Sequence, residues 1–198
     1  SSDSNSVFGG LDISTSLVCA DEGSAITILP KSLDLSKVDR DVTILNGMRI
    51  WNTLRGKYKV SIAPGATVTL RSATINGTDD ADSKWAGLTC LGDATLILSG
   101  TSSVRGFYQD YPGIYVPVGS TLTIQGDGSL TADSNGYAAG IGGGFNYPDS
   151  PSKPDLSCGS IVIEGGTITA NGGNRGAGIG GGWKSFCDGV VINGGTVY

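Results

Sequence analysis

The stretch "AAGIGGGF" at residues 138–145 returns as "GAGIGGGW" at 176–183. An octamer this rich in glycine is either a phosphate-cradling loop or one segment of a structural repeat, and the residues that follow it discriminate. A dinucleotide-binding loop opens a helix. Neither "FNYPD" (145–149) nor "WKSFC" (183–187) can start one. The octamer is therefore read as part of a repeat.

The rest of that repeat is visible on either side. The segments "TVTL" (67–70), "TLIL" (95–98), "TLTI" (121–124), "SIVI" (160–163) and "GVVI" (189–192) align, and their second residues, Val68, Leu96, Leu122, Ile161 and Val190, step by 28, 26, 39 and 29. The long step contains "FNYPDSPSKPDLSC" (145–158), a Pro-rich loop grown at one corner of the unit. A second alternating segment follows a Gly or Ser turn, as in "GSLTA" (128–132) and "GTITA" (166–170). The octamer is the third. Its simpler versions are "WAGLTC" (85–90) and "YPGIYV" (111–116), with Gly87, Gly113, Gly140 and Gly178 in equivalent places.

Three short strands of period two in under about thirty residues, separated by turn residues, predict an all-β chain. The expected architecture is a right-handed parallel β-helix, a solenoid of about five coils of three short strands with an irregular N-terminal cap. The inward ladders would be Ile62, Cys90 and Val116; Val68, Leu96, Leu122, Ile161 and Val190; and Ile75, Val104, Leu130, Ile168 and Val197. The same parity turns Ala139, Ile141, Ala177 and Ile179 inward, and Gly140, Gly142, Gly178 and Gly180 outward, leaving a strip of nearly bare backbone.

Residues 1–59 are expected to form the cap and first coil, and residues 60–198 the regular coils. Within the first part, "SLVCADEGSAITIL" (16–29) resembles "GLTCLGDATLIL" (87–98) and suggests an early coil. "PKSLDLSKVDRD" (30–41) reads as a turn or one short helix, and "VTIL" (42–45) as a second-segment strand. The repeat breaks off at "NGGTVY" (193–198), where the preceding coil continued with "TANGG". That predicts truncation at the C-terminus and a place in a larger chain.

Composition narrows the chemistry. Glycine supplies 33 of 198 residues without a triplet period, and 16 of the 18 acids are Asp, which favours turns over helix interiors. A net charge of −5 argues against nucleic acid as a partner. No run of about eighteen apolar residues is available for direct membrane insertion. Between Val42 and Thr78 there is no acid, while Arg49, Arg55, Lys57, Lys59 and Arg71 all occur. This is either a solvated face or an anion-binding patch suited to an acidic glycan.

The chain has no histidine, which removes Ser-His and Cys-His nucleophile systems and histidine metal sites. Glycosidase or lyase chemistry would fall to carboxylates, Tyr, Lys84, Arg71, Arg105 or Arg175, and spacing singles out none of them. No catalytic residue is assigned. No cofactor is expected apart from calcium, for which "DDAD" supplies Asp79, Asp80 and Asp82 in one loop, although a plain solvated loop is the favoured reading.

Cys158 and Cys187 lie three residues before Ile161 and Val190, at the same turn position of adjacent coils. Equivalent Cα atoms of stacked coils are about 4.8 Å apart, inside the disulfide window. A Cys158–Cys187 bridge is predicted, and with it an oxidising, extracellular location. Cys19 and Cys90 read as buried thiols.

Aromatic residues flank the third strands: Trp85, Phe107, Tyr108, Tyr111 and Tyr137 precede them, Phe145, Tyr147 and Trp183 follow, and Tyr115 should point outward from one. Stacking of equivalent loops would line these rings along the glycine strip as a carbohydrate platform. The plainer alternative is that they cap the core. Thr167 with Thr169 and Ser129 with Thr131 form a short outward hydroxyl ladder, with too few rungs for the long Thr arrays of ice-binding solenoids.

The repeated "AGIGGG" followed by "IVIEGGTITANGG" (161–173) resembles glycine-rich repeats in large secreted and surface proteins of anaerobic, often gut-dwelling, bacteria. Those are similar to polysaccharide-lyase scaffolds and carbohydrate-binding β-helix domains. The resemblance covers residues 120–198 well, 60–119 loosely and 1–59 hardly at all. It implies a secreted or cell-surface binding module, adhesin-like, whose partner is a glycan or surface glycoprotein. The alternatives are a β-helix lyase or glycosidase acting on an acidic glycan, and a passive stalk segment.

Overall fold

A computed structural model describes residues 31–198 and the backbone of Leu11–Asp12. Strand β1 (Leu11–Asp12) runs antiparallel to β2 (Ser32–Asp34), and a single 3₁₀ turn follows at Leu35–Lys37. Asp34 caps that turn by accepting from the Ser36 N–H at 3.0 Å, as a short polar side chain does at a helical start. The remaining elements run coil by coil: β3 (Val42–Ile44) and β4 (Arg49–Thr53); β5 (Val60–Ile62) and β6 (Ala66–Asn76); β7 (Leu88–Cys90), β8 (Ala94–Ser99) and β9 (Thr101–Arg105). Then come β10 (Ile114–Tyr115), β11 (Thr121–Gly126) and β12 (Ser129–Asp133); β13 (Ile141–Gly142), β14 (Cys158–Ile163) and β15 (Thr167–Asn171); and β16 (Ile179–Gly180), β17 (Cys187–Ile192) and β18 (Thr196–Val197).

Every pairing between named strands from β2 onward is parallel. The third strands form a six-stranded sheet, β16-β13-β10-β7-β5-β3. The first and second strands belong to one twelve-stranded sheet that bends through β6, which pairs with β8 by its first half and with β9 by its second. The chain is a right-handed parallel β-helix. Residues 31–59 are already paired into it, since β3 joins β5 and β4 joins β6.

Alternation explains the core. In β8 the pattern is strictly buried and half-buried, with Ala94, Leu96 and Leu98 inside. Leu33, Ile50, Leu70, Leu96, Leu122, Ile161 and Ile168 are all 0–1% exposed and belong to one continuous cluster. Each contributes about 1.5–3 kcal/mol of burial, and no coil could supply the cluster alone. At the C-terminal coil the same inward positions are open: Val190 and Ile192 are 39% and 54% exposed.

The register differs from the expected ladders by two residues at one step. Val68 pairs with Leu96, but Leu96 pairs with Ile124, and Leu122 pairs with Ala94 and Ile161. Likewise Val104 pairs with Ala132, and Leu130 with Ser102 and Ile168. Ala66, Ala94 and Leu122 therefore stack at a constant interval of 28 residues. Period-two alternation fixes which side a residue faces but leaves register open by multiples of two.

A second correction concerns Val42–Ile44, which pairs with β5 in the third-strand sheet and is not a second-segment strand. A bare alternating run fits either sheet. The suggested early coil at 16–29 and Cys19 lie outside the described residues. Cys90 is a buried free thiol whose pKa is pushed up to about 12 by burial. The predicted Cys158–Cys187 disulfide is present, with Cα atoms 4.5 Å apart in paired positions of β14 and β17.

The corner between first and second strands needs a left-handed residue. Gly100 and Gly166 supply it at φ +68° and +88°, where Asn52 and Ser72 do so in earlier coils at +69° and +51°. The octamer glycines answer a different need. A Cβ on Gly140 would sit 2.7 Å from the Ala132 carbonyl oxygen, 2.9 Å from the Asn171 nitrogen and 2.9 Å from the Gly178 oxygen, all backbone atoms. The third strand runs hard against the ends of the second, and only glycine fits.

Two outcomes follow for stability. Gly140→Ala should cost about 1–3 kcal/mol by overpacking, while Gly189→Ala, with nothing within 4 Å of its Cβ, should stay within about 0.5 kcal/mol, as read by denaturant melts. Replacing Cys158 and Cys187 by Ser should remove about 3–4 kcal/mol, from the 29-residue separation they close; an unchanged melting temperature would show that the bridge constrains nothing.

Candidate ligand-binding site

The loop between β13 and β14 grows out of the third strand and folds back over it. Leu156 is buried, its carbonyl accepts from Gly144 N–H at 2.8 Å, and its own N–H donates to Asn146 Oδ1 at 2.6 Å. Asn146 Nδ2 in turn donates to Asp155 and to Ser157 Oγ. Gly140, Gly142, Gly143 and Gly144 are consequently buried. The expected strip of bare glycine backbone is not exposed, because strand ends press on one part of it and this loop covers another.

The nine candidate aromatic residues separate. Trp85 and Phe107 form a pair at 5.9 Å; Phe107 is buried, and the Trp85 Nε1–H is buried with no acceptor among the described residues. Tyr115 is half-buried, its hydroxyl donating to the Ser157 carbonyl at 3.3 Å under the loop. Tyr108 is half-buried with the Lys84 ammonium 5.8 Å from its ring.

Tyr137, Phe145, Tyr147 and Trp183 come together as one cluster. Phe145 stacks on Trp183 at 4.8 Å and 9°, touches Tyr147 at 4.1 Å and packs against Tyr137 at 5.6 Å. The Trp183 ring also carries the Arg175 guanidinium at 4.6 Å and Lys184 Nζ at 5.2 Å. Such contacts add to packing and leave Trp183 less free than its sequence position suggests.

Next to this cluster a pocket of about 290 Å³ opens between the loop and the third-strand side, lined among others by Lys84, Asp110, Tyr111, Phe145, Tyr147 and Lys153. Asp110 is 4% exposed, and its carboxylate accepts from the Tyr147 hydroxyl at 3.1 and 3.0 Å. Burial raises the Asp110 pKa, opposed by the Tyr147 hydrogen bond and by the charges of Lys153 and Lys84. Burial and the bond to Asp110 push the Tyr147 pKa up to about 12. Lys153 lies over the Tyr147 ring at 4.6 Å. The pocket thus combines aromatic faces, a buried acceptor and two cations that form no salt bridge among the described residues.

Asp110 is the residue that sequence reading missed. Its one signal was an acid set between Tyr108 and Tyr111 just ahead of a third strand. In the "DDAD" loop, Asp80 is bound to Lys57 Nζ at 2.7 Å and Asp79 accepts from Gln109 N–H at 2.9 Å. No three potential metal ligands converge among the described residues.

Because Asp110 holds its proton to higher pH in the folded chain than the ordinary 3.8, folding takes up a proton above that pH. Its contribution to stability therefore falls as pH rises from about 3.8 through the raised native value. Asp34 and Asp155, with lowered pKa values, act in the opposite sense, so the difference between wild type and Asp110→Asn isolates the effect. Asp110→Asn should gain on wild type across that interval in pH-dependent melts. Tyr147→Phe should move the Asp110 carboxyl further upward in an NMR titration; a downward movement would contradict the assigned hydrogen bond.

Residues 122–145 and 161–183 match the family model described as "Beta helix repeat". Both segments begin on residues paired in register, Leu122 and Ile161, and end beside or on the stacked pair Phe145 and Trp183. No curated protein and no solved structure matches the chain. Among the described residues no helix is long and apolar enough to cross a membrane. What the strand topology and these two matched segments establish is a parallel β-helix.

Proposed function

We propose that the chain is a secreted or cell-surface, non-catalytic module of a bacterial protein that binds carbohydrate or a surface glycoprotein. The observation that carries this reading is the Asp110 pocket. Tyr111 and Tyr147 offer apolar ring surface suited to the face of a pyranose, with Phe145, itself buried, in the pocket wall; Asp110 can accept from sugar hydroxyls, and Lys84 and Lys153 can donate to them. A disulfide between adjacent coils is in keeping with an extracellular setting. The repeat supplies a rigid rod, and the inserted loop supplies the binding chemistry, as loops on regular scaffolds commonly do.

Asp110 also favours a second reading. A buried carboxyl with a raised pKa, hydrogen-bonded by a tyrosine beside two lysines, is the kind of group that moves protons in sugar cleavage.

A glycan array on the intact chain, followed by calorimetry on the best hit, tests both. Tyr147→Ala and Lys153→Ala should each weaken binding roughly tenfold, the effect of losing one contact of about 1.4 kcal/mol. Turnover of a polysaccharide that disappears in Asp110→Asn would replace the binding reading with the enzymatic one. Absence of any glycan hit would leave a stalk segment.

A further inference from the structure

A second groove, of about 670 Å³, lies on the outer side of the twelve-stranded sheet, lined by Ser32, Arg49, Trp51, Asn52, Arg71 and Ser72. Strand β4 alternates here: Ile50 is fully buried, and Arg49 and Trp51 on either side of it point out. Trp51 pairs with Arg71 on β6, and Arg49 pairs with Thr69. Parallel pairing places Arg71 about 4.8 Å across from Trp51, with Arg49 two residues along the same face. The register shifts between Trp51 and Asn52, and Asn52 and Ser72 both take left-handed backbone. A bulge of this kind re-aims side chains at a sheet surface.

Three features make this a site rather than an ordinary outer face. Trp51 is 42% exposed, an unusual state for an indole that could have packed on its neighbours. Neither Arg49 nor Arg71 meets a carboxylate among the described residues, where the two salt bridges are Arg40–Asp39 and Lys57–Asp80. Asp34, which pairs with Trp51, is 8% exposed and is engaged by the Ser36 N–H and hydroxyl, and Asp12 stands in register with Arg49 one strand further out, across Ser32. The acid-free stretch from Val42 to Thr78 thus has a structural counterpart: among the described residues it leaves two guanidinium groups without a salt bridge beside one open aromatic face.

We infer that this groove binds an anionic saccharide, with a pyranose ring lying against Trp51 and its carboxylate or sulfate held by Arg49 and Arg71. The guanidinium fork matches both oxyanions, and an exposed indole matches the apolar face of a sugar ring. A long nucleic acid fits less well. It requires a continuous basic track, whereas Lys57 is committed to Asp80, Arg55 and Lys59 do not line the groove, and the chain carries a net charge of −5. The site is separate from the Asp110 pocket and shares no lining residue with it.

The test is calorimetry and tryptophan fluorescence on the intact chain with an oligogalacturonate, a chondroitin sulfate oligosaccharide, neutral maltohexaose and a dT10 oligonucleotide. One or both acidic sugars should bind, quench Trp51 emission and weaken as salt rises. Maltohexaose should bind at least tenfold more weakly. Arg49→Gln, Arg71→Gln and Trp51→Ala should each weaken binding about tenfold or more, and Trp51→Phe should abolish the quench. All are exposed positions, so an unchanged melting temperature accompanies the loss. Tyr147→Ala should leave this binding unchanged, which separates it from the pocket. The inference is overturned if neither acidic sugar binds, if the Arg49 and Arg71 variants bind as wild type, or if dT10 binds more tightly than either sugar.

Discussion

Backbone hydrogen bonding between successive coils is the constraint on which the rest of the molecule depends. The third strands have only two or three residues, yet those inside the stack are held on both sides by the coils above and below, as Ile114 is by Leu88 and Ile141. A strand that short has no independent stability. It persists because every coil delivers its strands at the same height and in the same phase. An insertion within a strand would turn inward residues outward, whereas an insertion at a corner disturbs neither ladder. The loop between β13 and β14 is such a corner insertion: the coil containing it is longer by about ten residues, yet Leu122 still faces Ile161. Chemistry can therefore accumulate at corners without cost to the stack, and the Asp110 pocket lies at one.

The same constraint decides what a single sequence discloses. Inward and outward sides were legible because they depend only on parity, and Leu96, Leu122 and Ile161 are all fully buried as expected. Cys158 and Cys187 were legible as partners because both sit at a fixed offset from inward residues of β14 and β17, where the steps contain no slip. The match of Leu96 with Ile124 was not. Leu122 and Ile124 have equal claims by parity, and the choice is made by how β11 seats against Ala94. The glycine octamer was read with the right strand and the wrong surroundings, since alternation says which way Gly140 faces and nothing of what stands opposite. The opposing atoms belong to Ala132 and Asn171, in other strands. Asp110 escaped notice for a related reason. Its partner Tyr147 is 37 residues away and reaches it only because a third-strand corner and an inserted loop share one flank.

The two proposed sites divide the labour of recognition differently. In the pocket, a carboxyl is taken out of water and balanced by Tyr147 and two lysines, so its proton affinity is tuned by burial. In the groove, the charges stay in solvent, and neither arginine forms a salt bridge among the described residues. The first arrangement favours close fit to one small group, the second favours a repeating anionic chain whose charge can be met at the surface and whose binding responds to salt.

A β-helix can carry both because its inward ladders bear the stability and leave the outer positions free. Arg49 and Trp51 flank a fully buried Ile50, so the strand keeps its place in the core whatever stands on its outer side. A saccharide chain running across a sheet face would meet outward side chains at intervals of about 4.8 Å from coil to coil, and about 6.6–6.8 Å along a strand. Those intervals recur on every coil, but the side chains placed on them do not: the positions that pair onward from Arg71 and Thr69 are Ser99 and Ile97, neither of them charged. Specificity on a repetitive scaffold of this kind resides in where the repeat is broken, by an inserted loop in one place and, in the other, by a bulge beside two arginines that form no salt bridge among the described residues.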